Sequence, residues 1–232
     1  MSGTLYIVGT PIGNLGDITY RAVETLKKVS LVACEDTRVT RKLLNHFEIK
    51  VPTISYNAHA NDAHTNKIID TLLGGEDVAL VSDAGMPTIS DPGVMLVHLV
   101  YQKNEELEDK IKVESIPGPT ALSSAISLSG ISASNFTFLG FLPHKKGRQT
   151  ILKKVAESDD THVFYESPHR LVKALESLVE YNPDRYVVVA KELTKIHEQV
   201  VRGTSQEVLN YFTENEDRVR GEFVVLTGEK LR

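Results

Sequence analysis

The chain has 232 residues, 41% of them hydrophobic and 25% charged, enough for one large globular domain or two smaller ones with a real core. No apolar stretch approaches the ~20 residues that span a bilayer, and the N-terminal Met-Ser-Gly-Thr lacks the basic and long apolar regions of a secretory signal. The single cysteine, Cys34, excludes an intrachain disulfide and a cysteine-rich zinc site, so a reducing cytoplasm is the expected compartment.

The net charge of −5 argues against general avidity for nucleic acid. The charge is uneven, however. Residues 1–118 hold 11 Lys and Arg against 16 Asp and Glu, whereas residues 119–232 hold 15 of each. Between Phe141 and Val155 stand Lys145, Lys146, Arg148, Lys153 and Lys154 with no acid among them. Such a run ordinarily marks a solvated helix face.

In chain order, Leu5 to Val8 reads as a buried strand ending at Gly9. Asp17 or Thr19 can cap a helix carrying Ala22, Val23, Leu26 and Val29 on one face. Leu31 to Cys34 is the second strand, followed by a helix through Leu43, Leu44 and Phe47. Thr53 to Tyr56 is the third strand, and the next helix presents Ile68, Ile69, Leu72 and Leu73 before Gly74-Gly75 stops it. Val78 to Val81, a helix near 94–100 and a strand near 113–116 complete an alternating β/α half. That alternation predicts a mostly parallel five-stranded sheet covered by helices on both faces.

Pro117-Gly-Pro119 breaks the rhythm and predicts a domain boundary, giving 1–117 and 118–232. Candidate strands beyond it are Phe136 to Leu139, His162 to Tyr165, Tyr186 to Ala190 and Glu222 to Leu226, with helices near 147–157, 168–180 and 204–214. This predicts a second α/β domain.

Open parallel sheets bind ligands outside the carboxyl ends of their strands. Here those ends are Gly9-Thr-Pro-Ile-Gly-Asn14, Glu35-Asp-Thr-Arg38, Tyr56-Asn-Ala-His59, the run from Ser82 to Gly93, and Pro117-Gly-Pro-Thr120. So many Gly, Pro and acidic residues on one edge place a ligand cleft there without naming the ligand. The first loop fits neither G-x-G-x-x-G nor a P-loop. Glu35 to Arg38 has two readings. As a helix start, Asp36 or Thr37 caps and Arg38 pairs on the surface. As a site, Glu35 or Asp36 accepts a proton and Arg38 holds a phosphate. The eight histidines show no metal-binding spacing and no hydrolase triad is visible, so no metal is expected.

Taken together, Gly9 to Asp17, Glu35 to Arg38, Ser82 to Gly93, Pro117 to Ala121, Phe138 to Pro143, Phe164 to Arg170, Lys191 to Lys195 and Gly221 to Val225 resemble the ribosomal RNA small subunit methyltransferase I family, within the tetrapyrrole methylase superfamily. The resemblance runs in order over nearly the whole chain. It implies two α/β domains with the cofactor cleft between them. It also implies transfer of a methyl group from S-adenosylmethionine to a cytidine ribose 2′-hydroxyl in 16S ribosomal RNA. By the same resemblance, cofactor contacts fall on Pro11, Ser82, Asp83, Ala84, Gly85, Pro87, Thr88, Ile89, Ser90, Thr120, Ala121 and Tyr165. Met86 stands where the family commonly has a small polar residue. Glu35 or Asp36 is the expected proton acceptor, and Arg38, Lys145, Lys146, Arg148 and Arg170 are the expected RNA phosphate contacts. The resemblance implies a homodimer, and the net charge of −5 favours 16S ribosomal RNA presented within the small ribosomal subunit as the substrate. Competing readings are a tetrapyrrole- or protein-directed methylase of the same superfamily, and a non-catalytic binder of S-adenosylmethionine or RNA.

Overall fold

Aliphatic residues at successive strand positions give the first sheet two buried faces. In the computed structural model, which describes residues 1–57, 62–91 and 93–229, the chain divides into two units, Met1–Thr120 and Ala121–Arg232. Unit 1 contains β1 (Thr4–Val8), β2 (Leu31–Cys34), β3 (Thr53–Ser55), β4 (Val78–Val81) and β5 (Lys112–Ile116), paired in the order β3-β2-β4-β1-β5. Every pairing is parallel.

The helices of unit 1 are α1 (Tyr20–Lys28), α2 (Thr37–His46), α3 (Asp62–Leu73) and α4 (Val94–Glu106). Alternate strand residues sort between two cores. Leu5, Ile7, Leu31, Ala33, Val78 and Leu80 pack with Ile68, Leu72, Leu96 and Val100 of α3 and α4. Val8, Val32, Cys34, Ala79 and Val81 pack with Ala22, Leu26 and Leu44 of α1 and α2. β2 and β4 are buried along their whole length, as a sheet covered on both faces requires. Thr19 supplies the predicted cap of α1, its hydroxyl accepting from the Ala22 amide at 3.1 Å. Leu73 departs from the predicted apolar face of α3 and is exposed.

Unit 2 is a mixed sheet. Its strands are β6 (Phe136–Phe141), β7 (Thr161–Glu166), β8 (Tyr186–Lys191), β9 (Gln199–Thr204) and β10 (Phe223–Gly228), ordered β6-β7-β10-β8-β9. Only β6 and β7 are parallel; β10 pairs antiparallel with β7 and β8, and β9 with β8. Helices α6 (Arg148–Glu157), α7 (Pro168–Tyr181) and α8 (Ser205–Glu214) bury Leu152, Leu171, Leu175, Val208 and Phe212 against Phe164, Val187, Phe223 and Val225. Helix α5 (Ala121–Ser129) packs against β8, β9 and β10.

Neither α5 nor β9 is predicted by the sequence. The segment ALSSAISLS is too serine-rich to read as amphipathic, yet Ala125 and Ser129 are buried once it lies on the sheet. β9 is an edge strand whose half-buried residues carry little alternation.

Candidate active site

The parallel register of unit 1 brings the ends of β1, β2, β4 and β5 to one edge. There the first loop is sewn to the fourth. The Thr10 amide donates to Gly85 O at 2.9 Å, the Gly85 amide returns a bond to Thr10 O at 3.1 Å, and Thr10 Oγ1 donates to Ser82 O at 3.2 Å. The first and fifth loops meet through two glycines. A Cβ on Gly9 would stand 2.7 Å from Gly118 N and Cα, so no side chain fits.

Four carboxylates converge on this edge. The Asp36 amide donates to Asp83 Oδ1 at 3.0 Å, tying the β2 loop to the β4 loop. Glu35 precedes it, with its carbonyl accepting from Ser55 Oγ at 3.3 Å. Burial raises the Glu35 pKa, and the Asp83 and Asp36 charges raise it further. Partial desolvation raises that of Asp83 as well, although the Asp36 amide partly offsets this. Asp91 is pushed up to about 6, by burial first and then by the Glu35 charge, against a lowering hydrogen bond with the Ser82 side chain.

Asp36 differs from the other three. It is the N-cap of α2, its Oδ1 accepting from the Arg38 amide at 2.8 Å. Arg38 also closes a forked ion pair on it, with Nη2–Oδ2 at 2.6 Å. These bonds, the guanidinium first, hold the Asp36 carboxyl down to about 2. The capping arrangement is therefore the one realised for Asp36 and Arg38. Of the two carboxylates expected as proton acceptor, Asp36 is the one held ionised by its own guanidinium, and Glu35 the one with raised proton affinity. Sequence reasoning includes Asp91 only within the run from Ser82 to Gly93 and does not single it out.

The loop from β4 to α4 holds most of the expected cofactor contacts in mixed environments. Asp83, Ala84 and Ser90 face solvent, Thr88 and Ile89 are half-buried, and Ser82, Gly85 and Pro87 are buried. Pro11 is buried as well. Thr88 and Ser90 adopt left-handed backbone, with φ of 73° and 64°, a strained choice for a β-branched Thr that concentrates at ligand clamps. Met86 packs against the α3/α4 core, which gives it a structural role in place of a small polar residue. Pro92 of this loop, and Ala58 and His59 at the end of β3, lie outside the described residues.

Thr120 and Ala121 are half-buried at the start of α5. In unit 2, the Tyr165 ring meets Phe138 and Phe141 edge-on at centroid separations of 5.0 and 5.4 Å. Lys145 and Lys146 are exposed in the loop before α6. Arg148 and Arg170 depart from expectation. Arg148 Nη2 lies 2.6 Å from Glu166 Oε2, and Arg170 Nε lies 2.9 Å from Glu166 Oε1. The Glu166 side chain is fully buried, and those of Arg148 and Arg170 are 10% and 17% exposed. Both arginines join β7 to its flanking helices, so neither is the solvated phosphate contact that the basic run suggests. Among the described residues no group of three His, Cys, Asp or Glu is arranged to hold a metal.

The model of the family "Tetrapyrrole (Corrin/Porphyrin) Methylases" matches residues 4–209. Ribosomal RNA small subunit methyltransferase I of Synechocystis is 48% identical, covering 97% of this chain and 78% of that protein. Its namesake from Thermotoga maritima is 44% identical, covering 98% of this chain and 100% of that protein. The chain belongs to the ribosomal RNA small subunit methyltransferase I family. This family member has the tetrapyrrole methylase fold. The methyltransferase CobJ superposes with a TM-score of 0.70 at 18% identity, covering 98% of this chain and 95% of that one. A uroporphyrin-III C-methyltransferase from Thermus thermophilus, complexed with S-adenyl homocysteine, gives 0.65 at 20% identity over 98% of both chains. In the ribosomal RNA small subunit methyltransferase I member described here, the acidic edge and the left-handed β4 loop lie within the matched residues.

Proposed function

We propose that the protein transfers a methyl group from S-adenosylmethionine to the ribose 2′-hydroxyl of a cytidine in 16S ribosomal RNA. The observation that carries this reading is the likeness, over nearly the full chain, to proteins named as ribosomal RNA small subunit methyltransferases. The acidic edge fits the donor. A sulfonium is a cation, and Glu35, Asp83 and Asp91 give this edge the opposite sign.

Pro11, the stretch from Ser82 to Ser90, Thr120, Ala121 and Tyr165 are proposed to hold the donor, on the motif resemblance. When bound, S-adenosylmethionine supplies an electrophilic methyl. The chain's own residues then have two tasks. They would orient the ribose oxygen towards that methyl, and such positioning lowers the barrier to transfer. They also accept the hydroxyl proton, a task for Glu35, whose proton affinity is raised by burial and by Asp83. Asp36 fixes the start of α2 beside it. Lys145 and Lys146 provide exposed cationic charge for RNA phosphates. The reading extends to a cytoplasmic homodimer that works on the assembled small subunit.

The test is incubation of the purified protein with radiolabelled S-adenosylmethionine and either small ribosomal subunits or naked 16S RNA, followed by identification of the labelled nucleoside. Labelled 2′-O-methylcytidine is expected, at a higher rate on the subunit. Label confined to a tetrapyrrole or a protein would overturn the reading.

A further inference from the structure

Side chains of a regular strand alternate between the two faces of its sheet, so residues three apart point opposite ways. Strand β6, at the edge of its sheet, breaks that rule. Its register with β7 runs from Phe138↔Val163 to Phe141↔Tyr165, which puts one extra residue on β6. Gly140 lies inside this bulge in left-handed backbone, with φ of 59°, a conformation that glycine adopts without strain. Leu139 and Leu142 therefore both pack into the core shared with α6 and α7. The rings of Phe138 and Phe141 both stand against Tyr165, edge-on at 5.0 and 5.4 Å. Regular alternation would have sent Phe141 to the core side with Leu139. The bulge gives that place to Leu142 and leaves Phe141 57% exposed, at the cost of the burial a phenyl ring ordinarily gains.

The exposed ring is held in place from behind. Leu142 is buried, and its carbonyl accepts from Arg170 Nη1 at 3.1 Å. Arg170 is itself anchored by the fully buried Glu166 carboxylate. A ligand that meets Phe141 therefore has little ordering of the protein to bring about. The chemistry next to the ring is cationic. Lys145 and Lys146 follow it, both exposed, and no acid stands between Phe141 and Val155. A preorganised aromatic face beside two lysines matches a polymer that carries a planar base and a phosphate on each unit.

We propose that Phe141 is a stacking surface for one unpaired nucleobase of the RNA, with Lys145 and Lys146 on phosphates of the same strand. The surface deepens the reading of an RNA substrate and rests on it.

The chain has no tryptophan, so Phe141→Trp installs a single reporter at the surface. Its emission is followed while the full-length protein is titrated with a single-stranded 16S RNA oligonucleotide and with an abasic strand of the same length. In parallel, affinity for unmethylated small ribosomal subunits is measured over a salt series for wild type, Phe141→Tyr, Phe141→Leu and Phe141→Ala, with thermal midpoints to confirm folding. The RNA is expected to quench the reporter and the abasic strand to leave it unmoved. Phe141→Tyr keeps the wild-type affinity. Phe141→Leu, which keeps apolar bulk without a ring, and Phe141→Ala bind about ten- to hundredfold more weakly. The slope of log K against log salt stays that of wild type, because no charge is removed. K145Q/K146Q behaves conversely, its slope falling by about one for each phosphate no longer neutralised. Emission unmoved by the RNA, or moved equally by the abasic strand, would overturn the surface. So would leucine binding as tightly as tyrosine. A smaller assembly for Phe141→Ala in light scattering would assign the ring to a second copy of the chain and overturn it too. Absence of methyl label in RNA tells against the proposed reaction, and ring-dependent RNA binding still decides the surface separately.

Discussion

The backbone amide of Asp36 donates to Oδ1 of Asp83 at 3.0 Å, linking the loop after β2 to the loop after β4. Both residues are acids on one sheet edge, but only Asp36 has a cation of its own, Arg38. That difference assigns the roles. Asp36 is a fixed, ionised cap, while Glu35, Asp83 and Asp91 form a crowded set with raised proton affinity.

Glu35→Gln keeps the shape and removes the proton acceptor. Single-turnover transfer to RNA, measured at saturating S-adenosylmethionine, is expected to slow about 10²- to 10⁴-fold. Asp36→Asn keeps the cap and is expected to slow transfer far less, whereas Asp36→Ala loses the cap and with it some stability of α2. Equal rates for wild type and Glu35→Gln would remove Glu35 from the mechanism.

Asp91 gives a pH signature. Its folded pKa, about 6, lies above the ordinary value of 3.8, so the protonated form favours the fold. Its contribution is fully present below about pH 4 and is lost as pH rises through 6, and because the group is partly exposed, solvent screening keeps it to about 1 kcal/mol. Asp91→Asn is expected to cancel that loss and raise the thermal midpoint at pH 7 relative to wild type. Asp36 runs the opposite way. Its stabilisation is present above the ordinary carboxylate range and disappears as pH falls towards 2. Denaturation series at pH 4 and pH 7 on wild type and Asp91→Asn check the first sign.

Glu166 neutralises Arg148 and Arg170 inside unit 2. Glu166→Gln leaves two nearly buried guanidiniums without a counter-charge and is expected to cost about 3–5 kcal/mol. Urea denaturation measures this, and a loss below ~1 kcal/mol would mean that water reaches the pair.

The contact of Gly9 with Gly118 is steric. Gly9→Ala places a methyl 2.7 Å from backbone atoms that have no rotamer to escape into. A loss of about 1–3 kcal/mol is expected, with weaker S-adenosylmethionine binding by calorimetry because the β1 and β5 loops are pushed apart. Unchanged binding would detach the β1 loop from the cofactor site.

The sequence by itself determined the parallel half of the molecule. Its strands are apolar at consecutive positions and its helices at every third or fourth, and these local periods survive in any tertiary context. It also determined the edge at which acids, glycines and prolines gather, because parallel strands carry their chemistry at the carboxyl ends. Tertiary structure decided the rest. Helix α5 and strand β9 exist because neighbouring elements bury them, and their own patterns are too weak to announce it. Proton affinity at Asp91 comes from burial beside Glu35, a residue 56 positions away in the chain. Arg148 reads as one more cation in a basic run, and only the fold turns it inward onto Glu166. Local sequence reports propensity and period, whereas burial and charge pairing are set by residues distant in the chain, so they become definite only when those residues meet.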